Sequence, residues 1–216
     1  MIPIVCFVGR SGVGKTTLVE KVIQELVKRG RRIAAFKHAH AGFQSGPKGK
    51  DSERLSAAGA NQVVVIAPNK YSLITTQSGD PSLSELFPLI LDCEFAIAEG
   101  FKDSPYPKVE VYRNQSSLML PEESLAAVVT DKRLNVSVPQ FRFEDISVLT
   151  DWVEAQCTIT DPQVRVNLTV NGERVSLNPF ANKMLGQTML GAVSALRGAE
   201  EPHTIKLSVR QYPSIP

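Results

Sequence analysis

The sequence has few cysteines, no long hydrophobic run and almost no net charge, and each absence excludes a class of protein. Its three cysteines, at positions 6, 93 and 157, share no metal-ligand spacing, and such an odd, scattered set favours free thiols in a reducing compartment. No apolar run approaches the length of a membrane span. The net charge of +2 gives no reason to expect a nucleic-acid partner. We therefore expect a cytoplasmic protein that binds neither membrane nor nucleic acid.

The length of 216 residues is enough to bury a full core, with room for a small appendage. The apolar stretch at residues 2–8 is too short for a signal-peptide core and follows no basic leader. Composition shifts near residues 158–162, so we expect a first domain over 1–157 and a small extension over 160–216.

A phosphate-binding motif, G-x-x-x-x-G-K-[ST], follows the first apolar run. Its residues are Gly9, Gly14, Lys15 and Thr16. The unbroken apolar run at 4–8 predicts a strand buried on both faces. The apolar residues between 18 and 27 recur at helical spacing, and Gly30 is placed to end that helix. The motif therefore has the strand before it and the helix after it that a phosphate loop requires.

The chemistry of such a loop follows from its glycines and its helix. Without side chains, the loop's backbone N–H groups can converge on phosphate oxygens, and the helix N-terminus adds partial positive charge. Lys15 is expected to reach the β- and γ-phosphates, and the Thr16 hydroxyl to ligate Mg²⁺.

Strands and helices alternate along the first domain, which predicts an α/β layer fold with a mostly parallel sheet flanked by helices. Residues 41–51 are rich in glycine and polar groups and are expected to form a loop. Strands are expected at 31–40, 61–69, 71–77, 94–101 and 108–113, an apolar run at 124–131, and helices at 52–60, 81–91 and 143–155.

The sequence of the extension predicts a small module with the element order ββαβ. Residues 164–170 alternate between apolar and polar, which predicts a strand. Asn171-Gly172 is a strong hairpin signal, so a second strand is expected at 173–177. Asn178 is placed to cap a helix running to about Leu196, and residues 203–210 are expected to form a last strand. No function for this module follows from its sequence.

An acidic residue at the end of a buried strand is expected to help hold Mg²⁺ near a phosphate loop. Glu99 ends the apolar run at 95–98, and beside a phosphate loop we favour that role over a carboxylate that merely ends a strand. Lys50 and Asp51, in the 41–51 loop, could meet phosphate and metal-bound water, although the pattern alone favours a solvated loop.

Three further residues leave alternatives open. His38 and His40 share one face of a strand and could ligate a metal, but polar residues at a strand end are the commoner explanation. Asp131, after the 124–129 apolar run, could accept two hydrogen bonds from guanine or could belong to an ordinary loop. The APNK sequence at 67–70 does not complete an N-K-x-D guanine motif.

The stretches VGRSGVGKTTL, KHAH, GKDSERLSAAGA and AEGFK occur in this order and spacing. Together they resemble the molybdopterin-guanine dinucleotide biosynthesis protein B (MobB) family over about residues 1–155. The resemblance implies a GTP-binding, weakly GTPase-active and usually dimeric protein that assists the attachment of GMP to molybdopterin. Its implied partners are a separate nucleotidyltransferase and a molybdopterin-bearing protein, and its implied cofactors are GTP and Mg²⁺.

The motif and the resemblance together assign residues to three roles. We expect nucleotide binding at Gly9, Gly12, Val13, Gly14, Lys15, Thr16, Thr17, Lys37, His38, Lys50, Gly100 and Asp131, catalysis at Lys15, Glu99 and Asp51, and Mg²⁺ binding at Thr16 and Glu99. A small-molecule kinase built on a phosphate loop is one alternative, although no arginine cluster supports it. A nucleotide-switched scaffold without meaningful turnover is another.

Overall fold

The computed structural model describes residues 2–39, 42, 51–90, 93–114, 116–157, 164, 166, 168–171, 173–202, 205 and 207–209. The chain forms two compact units, one comprising Ile2–Thr158 and the other containing Ile159–Pro216. The expected loop at 41–51, including Lys50, lies outside the described residues except for Gly42 and Asp51, and so does His40. Within the described ranges, no helix is long and apolar enough to cross a membrane.

The larger unit is built on a six-stranded parallel sheet. Its strands and helices are β1 Ile4–Val8, α1 Lys15–Lys28, β2 Ile33–Lys37, α2 Asp51–Ala57, β3 Gln62–Ala67, β4 Lys70–Thr75, α3 Leu83–Leu86, β5 Phe95–Glu99, β6 Lys108–Val111, β7 Ala127–Val129, β8 Gln140–Phe141 and α4 Ile146–Cys157. The strand order is β2-β5-β1-β6-β7-β8, and every pairing between these strands is parallel. The predicted α/β class with a mostly parallel sheet is confirmed.

The core lies between the sheet and helices α1 and α4. All five residues of β1 are buried, because the strand is central and covered on both faces. Helix α1 buries the apolar face that its spacing predicts, and α4 contributes Leu149 and Val153 to the same cluster. This packing fixes the carboxyl end of β1 and the start of α1, where the phosphate motif lies.

Strands β3 and β4 form an antiparallel hairpin that is a separate two-stranded sheet. The chain turns at Asn69, whose φ of 63° lies in the left-handed region that asparagine tolerates. Strands were expected at 61–69 and 71–77, and both are present. Their placement outside the parallel sheet was not expected.

Three details of the larger unit differ from expectation. The helix expected at 81–91 ends at Leu86 and gives way to a 3₁₀ turn at 87–89, since Pro88 has no backbone N–H to continue it. Strand β6 is buried at all four positions despite its alternating sequence, because it lies inside the sheet. The short β8 was not predicted.

The smaller unit contains β9 Leu168–Val170, β10 Glu173–Val175 and α5 Pro179–Ser194. The two strands pair antiparallel, and Asn171 between them has a φ of 53°. The Asn178 side chain caps α5 by accepting a 2.8 Å hydrogen bond from the Ala181 N–H.

The expectation of a last strand at 203–210 is wrong for residues 205 and 207–209, which are not in a strand. The other residues of that stretch lie outside the described ones. Leu207 and Val209 are exposed, so the alternating pattern lacks the burial that would hold a strand in place.

Candidate functional site

The loop between β1 and α1 needs its glycines for two physical reasons. Gly9, Gly12 and Gly14 have φ values of 142°, 77° and 94°, which side chains other than glycine rarely adopt. A Cβ on Gly9 would lie 2.5 Å from the Val111 carbonyl oxygen, too close for any other residue. A Cβ on Gly12 or Gly14 would instead face open space, so the backbone at these positions can be approached by a ligand.

The N-terminus of α1 carries no compensating acid. Its cap residue, Gly14, has no side chain to cap the helix, and the first turn contains no Asp or Glu. Lys15, Thr16 and Thr17 occupy that turn. The partial positive charge of the helix end therefore has no carboxylate partner within its own first turn, which suits it to bind an anion.

Val13 has a different role from its neighbours. Its side chain is buried in the main core cluster, so it anchors the loop to the core. Only its backbone can serve the expected nucleotide-binding role.

The Lys15 side chain crosses the loop, and its ammonium donates a 2.8 Å hydrogen bond to the Arg10 carbonyl oxygen. Burial lowers the pKa of Lys15, the nearby Lys37 lowers it further, and Glu99 acts in the opposite direction. The Lys15 ammonium is thus held against the backbone of the glycine loop, with the negative Glu99 and the positive Lys37 nearby.

Thr16, Lys37 and Glu99 form one hydrogen-bonded cluster. The Thr16 hydroxyl lies 2.9 Å from each Glu99 carboxylate oxygen. The Lys37 ammonium lies 3.2 Å from Thr16 Oγ1, 3.2 Å from Glu99 Oε1 and 3.1 Å from Glu99 Oε2. Three residues from the set expected at the site are therefore in direct contact.

The sheet order explains why these residues meet. Strand β5 lies between β2 and β1, with Lys37 and Phe7 both in register with Glu99. The carboxyl ends of parallel strands meet at the same edge of a sheet, and in open α/β sheets ligands bind at that edge. The chain leaving β1 there forms the glycine loop and enters α1.

The oxygen atoms of Thr16 and Glu99 fit a magnesium ion chemically. Mg²⁺ prefers oxygen ligands, and phosphate sites hold it by one or two protein oxygens while it keeps several waters. A larger protein cage is not found: among the residues that the structure describes, no group of three or more His, Cys, Asp or Glu side chains could hold a metal.

His38 and Gly100 lie beside this cluster. A Cβ on Gly100, whose φ is 95°, would approach the His38 Cβ to 3.0 Å, so glycine lets the two backbones come close. The His38 ring stacks on Phe101 with centroids 5.0 Å apart, and its Nε2 lies 2.8 Å from Asp80 Oδ2.

A pocket of about 310 Å³ opens next to the cluster, with His38, Asp80, Phe101 and Tyr106 in its wall. Sequence reasoning missed Asp80 and Phe101. Phe101 adopts a φ of 58°, a conformation rare for a bulky residue and typical of functional segments. In the sequence, Phe101 belongs to the AEGFK stretch that contributes to the family resemblance, but that stretch does not indicate its backbone conformation.

Asp131 lies at a different part of the same edge. It follows β7, which is two strands from β1 on the side away from β5. Its Oδ2 is 3.7 Å from Arg113 Nη2, and the Arg113 guanidinium lies 3.9 Å from the centroid of the Phe143 ring. A nucleotide's base and terminal phosphates lie at opposite ends of the molecule, so this separation from Glu99 is compatible with one ligand.

Asp51, expected to take part in catalysis, is the first residue of α2. Its side chain is 95% exposed and lies 3.5 Å from Arg54 Nη1. Among the described contacts, Asp51 therefore pairs with a residue of its own helix and not with Thr16 or Glu99.

Comparison with known proteins agrees with the resemblance that the sequence motifs indicate. The model of the family described as molybdopterin guanine dinucleotide synthesis protein B matches residues 4–131. The chain belongs to the MobB family. The matched range contains the glycine loop, the Thr16–Lys37–Glu99 cluster and Asp131, so this site lies within the family's shared region.

Individual relatives in the MobB family differ in how much of this chain they match. The molybdopterin-guanine dinucleotide biosynthesis adapter protein of Haemophilus influenzae is 35% identical over 158 residues, which is 71% of this chain and 88% of that relative. A relative from Methanocaldococcus jannaschii is 25% identical over 94% of this chain and 95% of its own length. The crystal structure of Bacillus subtilis MobB, 29% identical, matches with a TM-score of 0.60 over 72% of this chain and 98% of that one.

Proposed function

We propose that this protein is a GTP-binding adapter, with weak Mg²⁺-dependent GTPase activity, that assists the attachment of GMP to molybdopterin. The contact between Thr16 and Glu99 beside the start of α1 carries the nucleotide part of the proposal. Family membership and the adapter names of its relatives support the pathway. The proposed partners are a nucleotidyltransferase and a molybdopterin-bearing protein.

The residues of the site have distinct proposed tasks. Backbone N–H groups of the glycine loop bind the phosphates, Lys15 stabilises charge on the γ-phosphate, and Thr16 and Glu99 hold Mg²⁺. The metal, when bound, supplies positive charge that offsets the charge developing on the phosphate oxygens.

Slow hydrolysis is expected from this arrangement. Among the described residues of the site, none is an evident base for the attacking water, because Glu99 is engaged with Thr16 and Lys37. A partner could supply the missing group, as happens with other phosphate-loop hydrolases. A role for Asp51 in the reaction stays a prediction.

Guanine selectivity is proposed to reside in Asp131. A carboxylate can accept hydrogen bonds from both N1–H and the 2-amino group of guanine, a pair of donors that adenine does not offer. The contact with Arg113 supports the proposal because the charged guanidinium orients the carboxylate.

The proposal is tested by calorimetric titration of the protein with non-hydrolysable GTP and ATP analogues in the presence of Mg²⁺. We expect preference for the guanine analogue, and loss of binding in Lys15→Ala, since the ammonium is the loop's charged phosphate ligand. Preference for the adenine analogue would overturn the guanine assignment and favour a small-molecule kinase.

The β3–β4 hairpin supports the proposed homodimer. Ile66 and Tyr71 are cross-strand partners on one face and are 80% and 64% exposed. Val64 and Leu73 pair next to them on that face and are also exposed. A two-stranded hairpin is marginal on its own, and a contiguous exposed apolar patch marks an interaction surface. We propose that this face meets a second copy of the chain.

Sedimentation equilibrium with Ile66→Lys and Ser72→Lys tests the dimer contact. Ser72 pairs with Val65 on the opposite face of the hairpin, so it is a control for adding a charge to the same element. We expect Ile66→Lys to weaken dimerisation roughly tenfold or more, as for a central interface residue, and Ser72→Lys to change it little. A monomeric wild-type protein, or equal effects of both variants, would contradict the proposal.

A further inference from the structure

The oxygen atoms that contact the Lys37 ammonium are the same ones that are proposed to bind the metal. The ammonium lies 3.1 to 3.2 Å from Thr16 Oγ1 and both Glu99 carboxylate oxygens. These oxygens are the ones that the proposed function assigns to Mg²⁺. An ammonium and a divalent cation cannot both contact one carboxylate and hydroxyl pair at these distances without strong repulsion.

We propose that Lys37 is a tethered cation that competes with the divalent metal for Thr16 and Glu99. The inference rests on the proposed function, because it concerns the same metal site. Its consequence is that the free metal ion binds weakly, and that metal enters readily only with the nucleotide's phosphates. Those phosphates offer the displaced ammonium a second anionic partner.

The fold delivers this ammonium to the site by backbone pairing. Lys37 and Glu99 are the last residues of adjacent parallel strands and are directly in register. The backbone therefore sets the starting point of the lysine side chain, while its four-carbon stem remains free to turn. A flexible point charge of this kind can leave a contact more easily than a planar arginine.

Exposure of the two partners favours exchange of one cation for another. The Glu99 side chain is 14% exposed and the Lys37 side chain is 59% exposed. A largely shielded carboxylate requires a positive partner, whereas the exposed ammonium can return to water at small cost. Glu99 is thus the fixed acceptor and Lys37 the replaceable partner.

The balance of charge in the cluster points the same way. Lys15 and Lys37 bring two ammonium groups towards the single carboxylate of Glu99. A further cation without its own anions meets net positive charge there. Removing the charge of Lys37 both frees the carboxylate and removes one source of repulsion, so it is the sharpest single change for a test.

Mn²⁺ is the probe for this test, because its free form is measured directly by electron paramagnetic resonance. Mn²⁺ is titrated into the full-length protein without added nucleotide, for wild type, Lys37→Met and Lys37→Arg. We expect Lys37→Met to bind Mn²⁺ about fivefold more tightly, the upper range for loss of an exposed ion pair, and Lys37→Arg to stay within about twofold of wild type.

Two controls make the result specific. Lys28→Met removes a lysine charge at the far end of α1, where Lys28 pairs with Glu25, and is expected to leave Mn²⁺ binding as in wild type. The double variant Lys37→Met/Glu99→Gln is expected to lose the tighter binding. Thermal melting of each variant checks that it folds.

The proposal is overturned if Lys37→Met binds Mn²⁺ no more tightly than wild type, or if Lys28→Met has the same effect. Persistence of the tighter binding in the double variant would also overturn it, because the metal would then lie elsewhere. GTP calorimetry separates this failure from that of the proposed function. A protein that binds GTP but shows no Lys37 effect loses only the present inference.

Discussion

Asp131 is the residue that we propose recognises guanine, and its surroundings determine how its carboxylate is presented to a ligand. In the structure it stands beside Arg113 at the carboxyl end of the sheet, and the Arg113 guanidinium packs over Phe143. Arg113 follows the end of β6, the strand next to β7 in the sheet. It therefore gives Asp131 an oriented, charged partner.

Asp131→Asn is expected to change which base is bound. The asparagine amide donates where the carboxylate accepted, so it fits the 2-oxo group of xanthine better than the 2-amino group of guanine. We expect GTP affinity to fall at least about tenfold, the loss of one or two charge-assisted hydrogen bonds, while XTP affinity rises. Calorimetry with both nucleotides measures this.

Glu144→Gln is the matched control, since it also removes a surface acid paired with an arginine, Arg142. It should leave both affinities unchanged. Equal losses for GTP and XTP in Asp131→Asn would point to a structural role and against base recognition.

The contact between α1 and α4 is held by charged residues at its solvent edge. Arg29, after the end of α1, donates to Asp151 at 2.6 Å and to Glu154 at 2.7 Å. Arg31 donates to Glu154 at 2.7 Å. Burial opposes ionisation of Glu154, but the hydrogen bonds from Arg29 and Arg31 outweigh it, and the pKa of Glu154 lies below its ordinary value of 4.5. These bonds join the end of α1 to α4.

The lowered pKa of Glu154 predicts how stability depends on pH. Because the folded protein favours the ionised carboxylate, this contribution is fully present above pH 4.5 and is lost as the pH falls below that value through the folded pKa. Glu154→Gln should therefore melt below wild type at pH 7, and the gap should narrow below pH 4.5. Melting curves between neutral and acidic pH measure this. Glu20→Gln, an exposed position on α1, is the control. A gap that stays constant with pH would count against the charged network.

The candidate site belongs to one of the two compact units. Every residue of the Thr16–Lys37–Glu99 cluster, and Asp131, lies in the unit Ile2–Thr158. The Haemophilus influenzae relative aligns over only 71% of this chain, yet 88% of its own length is covered. The Methanocaldococcus jannaschii relative matches 94% of the chain, so its match reaches into the smaller unit.

Truncation after residue 158 tests whether the larger unit is self-sufficient. Since that unit has its own core and contains the whole candidate site, we expect the fragment to fold cooperatively. Its GTP affinity should stay within about threefold of the full chain, as for independent domains. Thermal melting and calorimetry measure both properties. A fragment that aggregates or binds GTP far more weakly would show that the smaller unit supports the site.

Features that depend on residues close together in the chain could be predicted from the sequence. Short segments of sequence are enough to predict the phosphate motif, the buried strand at 4–8, helix α1 and the Asn178 cap of α5. Each follows from local rules: backbone angles open to glycine, the period of a helix, and the short reach of a capping side chain. The parallel α/β class followed from the alternation of such elements.

Which residues distant in the chain come into contact depends on the order and register of the strands. Lys37 and Glu99 touch because β2 and β5 are neighbours in register, and Arg113 reaches Asp131 because β6 and β7 are neighbours. The β-branched hairpin at 62–75 forms its own sheet although its residues equally suit a central strand. Strand order and register result from the packing of the whole core, and the alternation of side chains along one strand contains no information about its neighbour.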